Sequence, residues 1–166
     1  MPSNANRCLI GSQQLNRMDA KCSHAPFFTA VLLSISTVAL AHQGVQNEAV
    51  KARMHSMMGL DDDLKLMIAM AKGEKAMDAD AAQAAVQRIK AGTPEIATLF
   101  KAPETDPKSE ALPTIWDEFD QFTTLAQELE QAAAKAAPTI QDRPTLAQAV
   151  ANIGGACRAC HRRFRK

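Results

Sequence analysis

The chain has 166 residues, 46% of them hydrophobic but only 4% aromatic, with no Tyr. That length suits one domain, and an abundance of Ala, Leu and Met over β-branched and aromatic residues favours helices and argues against a sheet protein. A formal net charge of +1 gives nucleic acid no electrostatic claim as a partner.

In chain order, the first element is not part of the fold. Lys21 precedes an apolar run over 25–39, and Ala39-Leu40-Ala41 follows as a small-residue cleavage pattern. Together they read as a secretory signal peptide. The run is short for a membrane span and is interrupted by Ser and Thr, so no span is expected in the mature form. The expectation is an N-terminal extension with a cleaved signal over 1–41, then one domain over 42–166, exported to the periplasm. Met18 would give a conventional short n-region, Met18-Asp19-Ala20-Lys21, making residues 1–17 dispensable. Cleavage removes Cys8 and Cys22 and leaves Cys157 and Cys160, a pair that an oxidising compartment would close into a disulfide unless something else holds it.

Four amphipathic helical stretches follow. The first is expected over 45–72, with Val50, Met57, Leu64 and Ala71 at heptad spacing and Met54, Leu60, Met67 and Ile68 on the same face. Gly59 and Asp61-Asp62-Asp63 interrupt this pattern and read as a solvated face; Gly73 marks the end. The second starts at Asp78 or Asp80, either of which can cap it, and carries Ala82, Val86 and Ile89. Gly92-Thr93-Pro94 is expected to break or kink it, with Ile96, Leu99 and Phe100 in a short further turn. Residues 101–113 are polar, contain Pro103, Pro107 and Pro113, and read as a loop. A third helix opens at Pro113, with Ile115, Phe119, Phe122, Ala126, Leu129 and Ala133 as its stripe, and ends by Pro138. The fourth opens after Asp142, with Pro144 in its first turn. Its stripe of Leu146, Val150, Ile153, Cys157, Cys160 and Phe164 places both cysteines in register with core positions. Four such helices with one longer connection make an all-α, antiparallel four-helix bundle.

The last of these helices carries the chemistry. Cys157-Arg158-Ala159-Cys160-His161 has the spacing of a covalent c-type haem attachment site, in which each thiol adds to one vinyl group and the imidazole ligates the iron. Its two rivals fare worse. A structural zinc site needs four ligands, and this motif supplies three. A redox dithiol expects a strand before it, and none is visible. The motif continues a core stripe, so the haem must enter the bundle interior. Gly154-Gly155, costly inside a helix, would be explained by close approach of the haem or of a neighbouring helix.

The chain resembles a class II c-type cytochrome, of the cytochrome c-prime family and its low-spin relatives. The resemblance rests on residues 155–165 around the motif, on Pro113-Thr114-Ile115-Trp116, on Ala71-Lys72-Gly73-Glu74-Lys75, and on Arg53 followed four residues later by Met57. It implies one covalent haem c held by Cys157 and Cys160, with His161 as the proximal ligand and Met57 facing the opposite side of the iron. In high-spin members that side is open and binds small gases; in low-spin members a Met of the first helix closes it. A Met on a helix stripe is more often core filler, but this stripe must face the haem, so Met57 is expected as a second ligand that raises the reduction potential. Met54 and Met58 lie close enough to be alternative ligands, Met54 nearer the same stripe, and His55 projects from another face and reads as a surface histidine. The resemblance places Arg53 near the haem, where it either meets a propionate or is solvated, and Arg165 near the proximal histidine. Trp116 reads as packing or haem contact. Arg158, Arg162, Arg163, Arg165 and Lys166 suit a helix C-terminus and would also dock an acidic redox partner. The expected function is one-electron transfer, with NO or CO binding at a five-coordinate haem as the alternative. No acid–base constellation suggests an enzyme. Relatives that pair through their first helices raise the prospect of a homodimer.

Overall fold

A computed structural model describes residues 44–166; the expected extension and signal segment lie outside the described residues. The elements are helices α1 (Glu48–Lys72), α2 (Ala79–Leu99), α3 (Thr114–Asp117), α4 (Phe119–Ala136) and α5 (Arg143–Phe164), with a 3-10 turn at Ala137–Thr139. Each long helix packs against two neighbours, in the ring order α1, α2, α4, α5 and back to α1. This is the antiparallel four-helix bundle that the patterning implied. Among the described residues no helix is long and apolar enough to cross a membrane.

The helix ends follow from local chemistry. Asn47 caps α1, its side chain accepting from the Val50 N–H at 3.0 Å, and Gly73 closes it at φ +80°, a conformation that favours glycine. Asp78 caps α2 through the Ala81 N–H. Asp142 and Thr145 form a reciprocal capping box at the start of α5, with both bonds at 3.0 Å.

As expected, α1 is one helix with the aspartates on its solvated side; Asp61 pairs with Lys65 one turn on and Asp63 with Arg88 of α2. Other expectations need correction. Gly92-Thr93-Pro94 does not end the second helix, which continues to Leu99. Pro94 cannot donate to the Lys90 carbonyl, and the buried Thr93 hydroxyl donates to it instead at 2.8 Å. The third helix, too, departs from expectation and is two pieces. Glu118 leaves helical geometry at φ −126° and ψ 40°, separating α3 from α4, while its side chain pairs with Arg163 of α5 at 2.6 Å.

The core is uneven along the bundle. Met67 and Met70 of α1, Ala82, Ala85, Val86 and Ile89 of α2, Ala133 of α4, and Leu146 and Ile153 of α5 are buried almost completely. Toward the other end, Met54, Met57, Leu60 and Leu64 of α1 and Cys157 and Cys160 of α5 are only partly buried. The cysteine motif lies in this looser half.

Candidate haem site

Two adjoining clefts open in the looser half, of about 600 Å³ and about 880 Å³ including the space at their mouths. Met57, Cys160, His161 and Arg165 line both; Cys157, Gly154, Leu60, Leu64 and Leu129 line the larger. The walls are mostly apolar, the character of a cofactor site with a few placed polar groups.

The two thiols are free and half-buried, one turn apart on the inward face of α5. Desolvation raises the Cys157 thiol above its ordinary range. Desolvation, with the neighbouring Cys157, pushes Cys160 up to about 11. A redox dithiol needs a thiolate, which a helix N-terminus or adjacent cations would stabilise. Here the motif sits at a helix C-terminus in apolar surroundings, and both groups stay thiols at neutral pH. A zinc site fails on geometry, because among the described residues no three Cys, His, Asp or Glu side chains gather to hold a metal ion.

His161 stands in the last turn of α5. Desolvation, then the nearby Arg165 charge, lowers its pKa, so the ring is neutral at pH 7 with a lone pair free to ligate. Across the clefts, α1 presents Met57. Met54 lines only the smaller cleft, Met58 is exposed, and His55 is exposed on another face.

Arg165 reaches both cleft walls and pairs with Glu110 at 2.6 Å. Arg53 lines the smaller cleft with Met57 and His161, which agrees with a place near the haem, but it is not the solvated arginine that was the other expectation. It is 3% exposed and donates to three carbonyls at the end of α2 and beyond it: Nε to Leu99 at 2.9 Å, Nη1 to Glu104 at 2.7 Å and Nη2 to Ala102 at 2.5 Å. Its guanidinium also lies 4.8 Å from the centroid of the Phe100 ring. These bonds use three of its five N–H donors, one on each nitrogen. Trp116 lines neither cleft; its indole N–H donates to the Phe100 carbonyl at 2.8 Å, so it is a packing residue.

Two parts of the site went unread in the sequence. Asp61 lines the larger cleft beside Cys157 and His161, as its spacing of four from Met57 would have allowed one to infer. The strap over 109–111 walls the smaller cleft. It is tied to the C-terminus by an Ala111–Arg165 bridge and by the Lys166 N–H donating to the Glu110 carbonyl at 2.8 Å. No local signal marks a pairing over that separation.

Comparison with known proteins agrees with this arrangement. The family described as Cytochrome C' matches residues 48–165. A cytochrome c-556 of Agrobacterium tumefaciens (strain II Chrys) is 31% identical over 70% of this chain and 95% of its own length. The cytochrome c' structure from Rhodopseudomonas palustris superposes with a TM-score of 0.68 at 30% identity, covering 73% of this chain and 98% of that one. An oxidised cytochrome c556 of R. palustris gives 0.67, at 30% identity and the same coverage.

The chain belongs to the cytochrome c' family.

It is therefore a c-type cytochrome carrying one covalent haem c. The site fits that group on its own chemistry, since two protonated thiols, a neutral imidazole and a thioether converge on an apolar cleft. The glycines fit as well. A Cβ at Gly155 would meet nothing within 4 Å, and one at Gly154 would meet only the end of the Arg158 side chain, at 3.2 Å. No neighbouring helix presses on either glycine, which removes that half of the expectation for the pair.

Proposed function

We propose that this cytochrome is a periplasmic one-electron carrier, with haem held at Cys157 and Cys160 and ligated by His161 and Met57. When bound, the haem supplies a ferric–ferrous couple. The single observation that carries the reading is the position of Met57, on the wall shared by both clefts and across from His161. A thioether in that place closes the distal side to outside ligands and favours the ferrous state. His161, kept neutral, holds the proximal side. The apolar side chains of α1 and α4 keep water from the cleft, so little need rearrange when the charge changes. Gly154 and Gly155 leave room for the macrocycle against α5.

At the protein surface, Arg158 and Arg162 are exposed, and neither is in an ion pair among the described residues. Arg163 and Arg165 have acidic partners. The unpaired arginines flank the motif and would steer an acidic redox protein toward the haem edge. Export by the N-terminal segment supports the periplasmic assignment.

Optical spectroscopy of the purified holoprotein tests the ligation. The expected ferric spectrum is low-spin, with a thioether-to-iron band at its red end that disappears in Met57→Ala. A high-spin spectrum that Met57→Ala leaves unchanged would refute it and favour an open, gas-binding iron.

A further inference from the structure

We propose that Arg53 is a positioning residue for the distal ligand: by clamping α1 to the end of α2, it sets the distance at which the Met57 sulfur meets the iron. The inference rests on the reading of Met57 as a ligand. It starts from how α1 is supported. Along its 25 residues only Val50, Arg53, Met67 and Met70 are fully buried. Between Arg53 and Met67 the inward residues Met57, Leu60 and Leu64 are half-buried against the clefts. The helix crosses the open half like a beam fixed at both ends.

The far end is held by ordinary apolar packing of Met67 and Met70. The near end is held by burial of Val50, by bonds from Gln46 and Asn47 to Asp106 and Glu104, and, nearest to Met57, by Arg53. Three of its nitrogens donate to three different carbonyls, those of Leu99, Ala102 and Glu104. Leu99 is the last residue of α2, where a helix leaves carbonyls without an intrahelical donor, and Ala102 and Glu104 lie in the chain that follows it. The planar fork fits the three carbonyls as a set, so both the height and the rotation of α1 are specified there. Phe100 and Trp116 lie under the guanidinium, with centroids 4.8 Å and 5.4 Å from its carbon, and the Trp116 indole fixes the Phe100 carbonyl. Met57 is one turn further along the same face, so a small rotation at Arg53 carries its side chain with it.

The test uses purified holoprotein. Arg53→Lys keeps the charge but replaces the fork with a single ammonium head on a flexible stem. The expected result is a folded protein with covalent haem and a lowered potential. Its thioether-to-iron band should be weakened, with high-spin absorption rising to match. An intact band with a shifted potential would mean that Arg53 acts on the surroundings of the haem without setting the ligand, and would overturn the positioning role. So would a folded variant with an unchanged spectrum and potential. Should Arg53→Lys fail to fold, Trp116→Phe decides, because it deletes the hydrogen bond that fixes the Phe100 carbonyl, within the segment that carries the acceptors of Arg53. A partial weakening of the band supports the role and an unchanged band overturns it. The underlying reading fails separately: a wild-type high-spin spectrum indifferent to Met57→Ala removes the ligand, and the positioning role with it.

Discussion

The two halves of this bundle use the same residue type in opposite ways. In the closed half, Met67 and Met70 are completely buried, surrounded by small and branched side chains such as Ala82, Ala85 and Ile153. In the open half, Met54 and Met57 are half-buried against clefts. All four lie on one amphipathic helix, and periodicity alone makes no distinction among them. What separates filler from candidate ligand is whether the neighbouring helices have already filled the space. Where α2, α4 and α5 present a packed layer, a methionine completes it. Where α5 presents two thiols and an imidazole, the layer is missing, and the chain has built room for something else.

The largest expected effect is at the motif. Replacing Cys157 and Cys160 together with Ala should abolish retention of haem by the polypeptide after acid–acetone extraction, while far-UV circular dichroism still reports helix from the closed half. Persistence of haem would remove the open half's chemical role entirely. Next come the methionines as a matched pair. Met67→Ala should cost about 2–5 kcal/mol in denaturant unfolding and leave the haem spectrum unchanged. Met57→Ala should change the spectrum and cost less, since its side chain is only partly packed. The reverse pattern would break the comparison. Gly155→Ala is smaller. With nothing in the chain for its Cβ to meet, it should stabilise haem-free protein by up to about 1 kcal/mol, measured on the double Cys→Ala background. Made in the wild-type chain, it should impair haem attachment.

Much of this was legible in the residues because it is local. Caps at Asp78 and Asp142, the stop at Gly73, the bundle stripes and the register of Cys157 and Cys160 all follow from spacings of a few positions. The resemblance to class II cytochromes then supplied the place of Met57 opposite the motif. The misreadings were of two kinds, one local and the others long-range. Pro94 looked like a break because its missing bond was visible and the compensating Thr93 hydroxyl was not counted. The split at Glu118 and the strap at 109–111 depend on partners about fifty residues away near the C-terminus. Arg53 was placed at the haem by family position and lines the smaller cleft, but three of its donors also go to carbonyls that only the path of the chain after α2 brings near. A buried arginine on an apolar stripe is the kind of feature that sequence marks as odd without saying what it bonds.

The smallest effect concerns pH, and it divides the halves by the forces that hold them. The closed half depends chiefly on apolar burial and has one carboxylate held below its usual range, the Asp142 cap, by the Thr145 hydroxyl and N–H. The open half has two. Asp106 accepts from the N–H groups of Lys108, Gln46 and Asn47, and Glu118 pairs with Arg163. Backbone hydrogen bonds hold Asp106 below the usual carboxylate range, and the bond from Arg163 does the same for Glu118. A carboxylate depressed in the folded state stabilises it fully above the unfolded pKa, about 4, and loses that contribution as pH falls through the lower folded value. Both groups are exposed, so each contribution is small and screened by salt. Acid should therefore loosen the open half first. Below about pH 4, amide exchange should quicken at Lys51, Leu112 and Lys166 before it does at Ile89 or Ala133. Glu118→Gln should bring that loosening to higher pH for the C-terminal segment alone, since its tie to Arg163 is then weakened at every pH. Simultaneous acceleration in both halves would show that the bundle opens as one unit, and that the contrast between its two ends lies in packing without extending to stability.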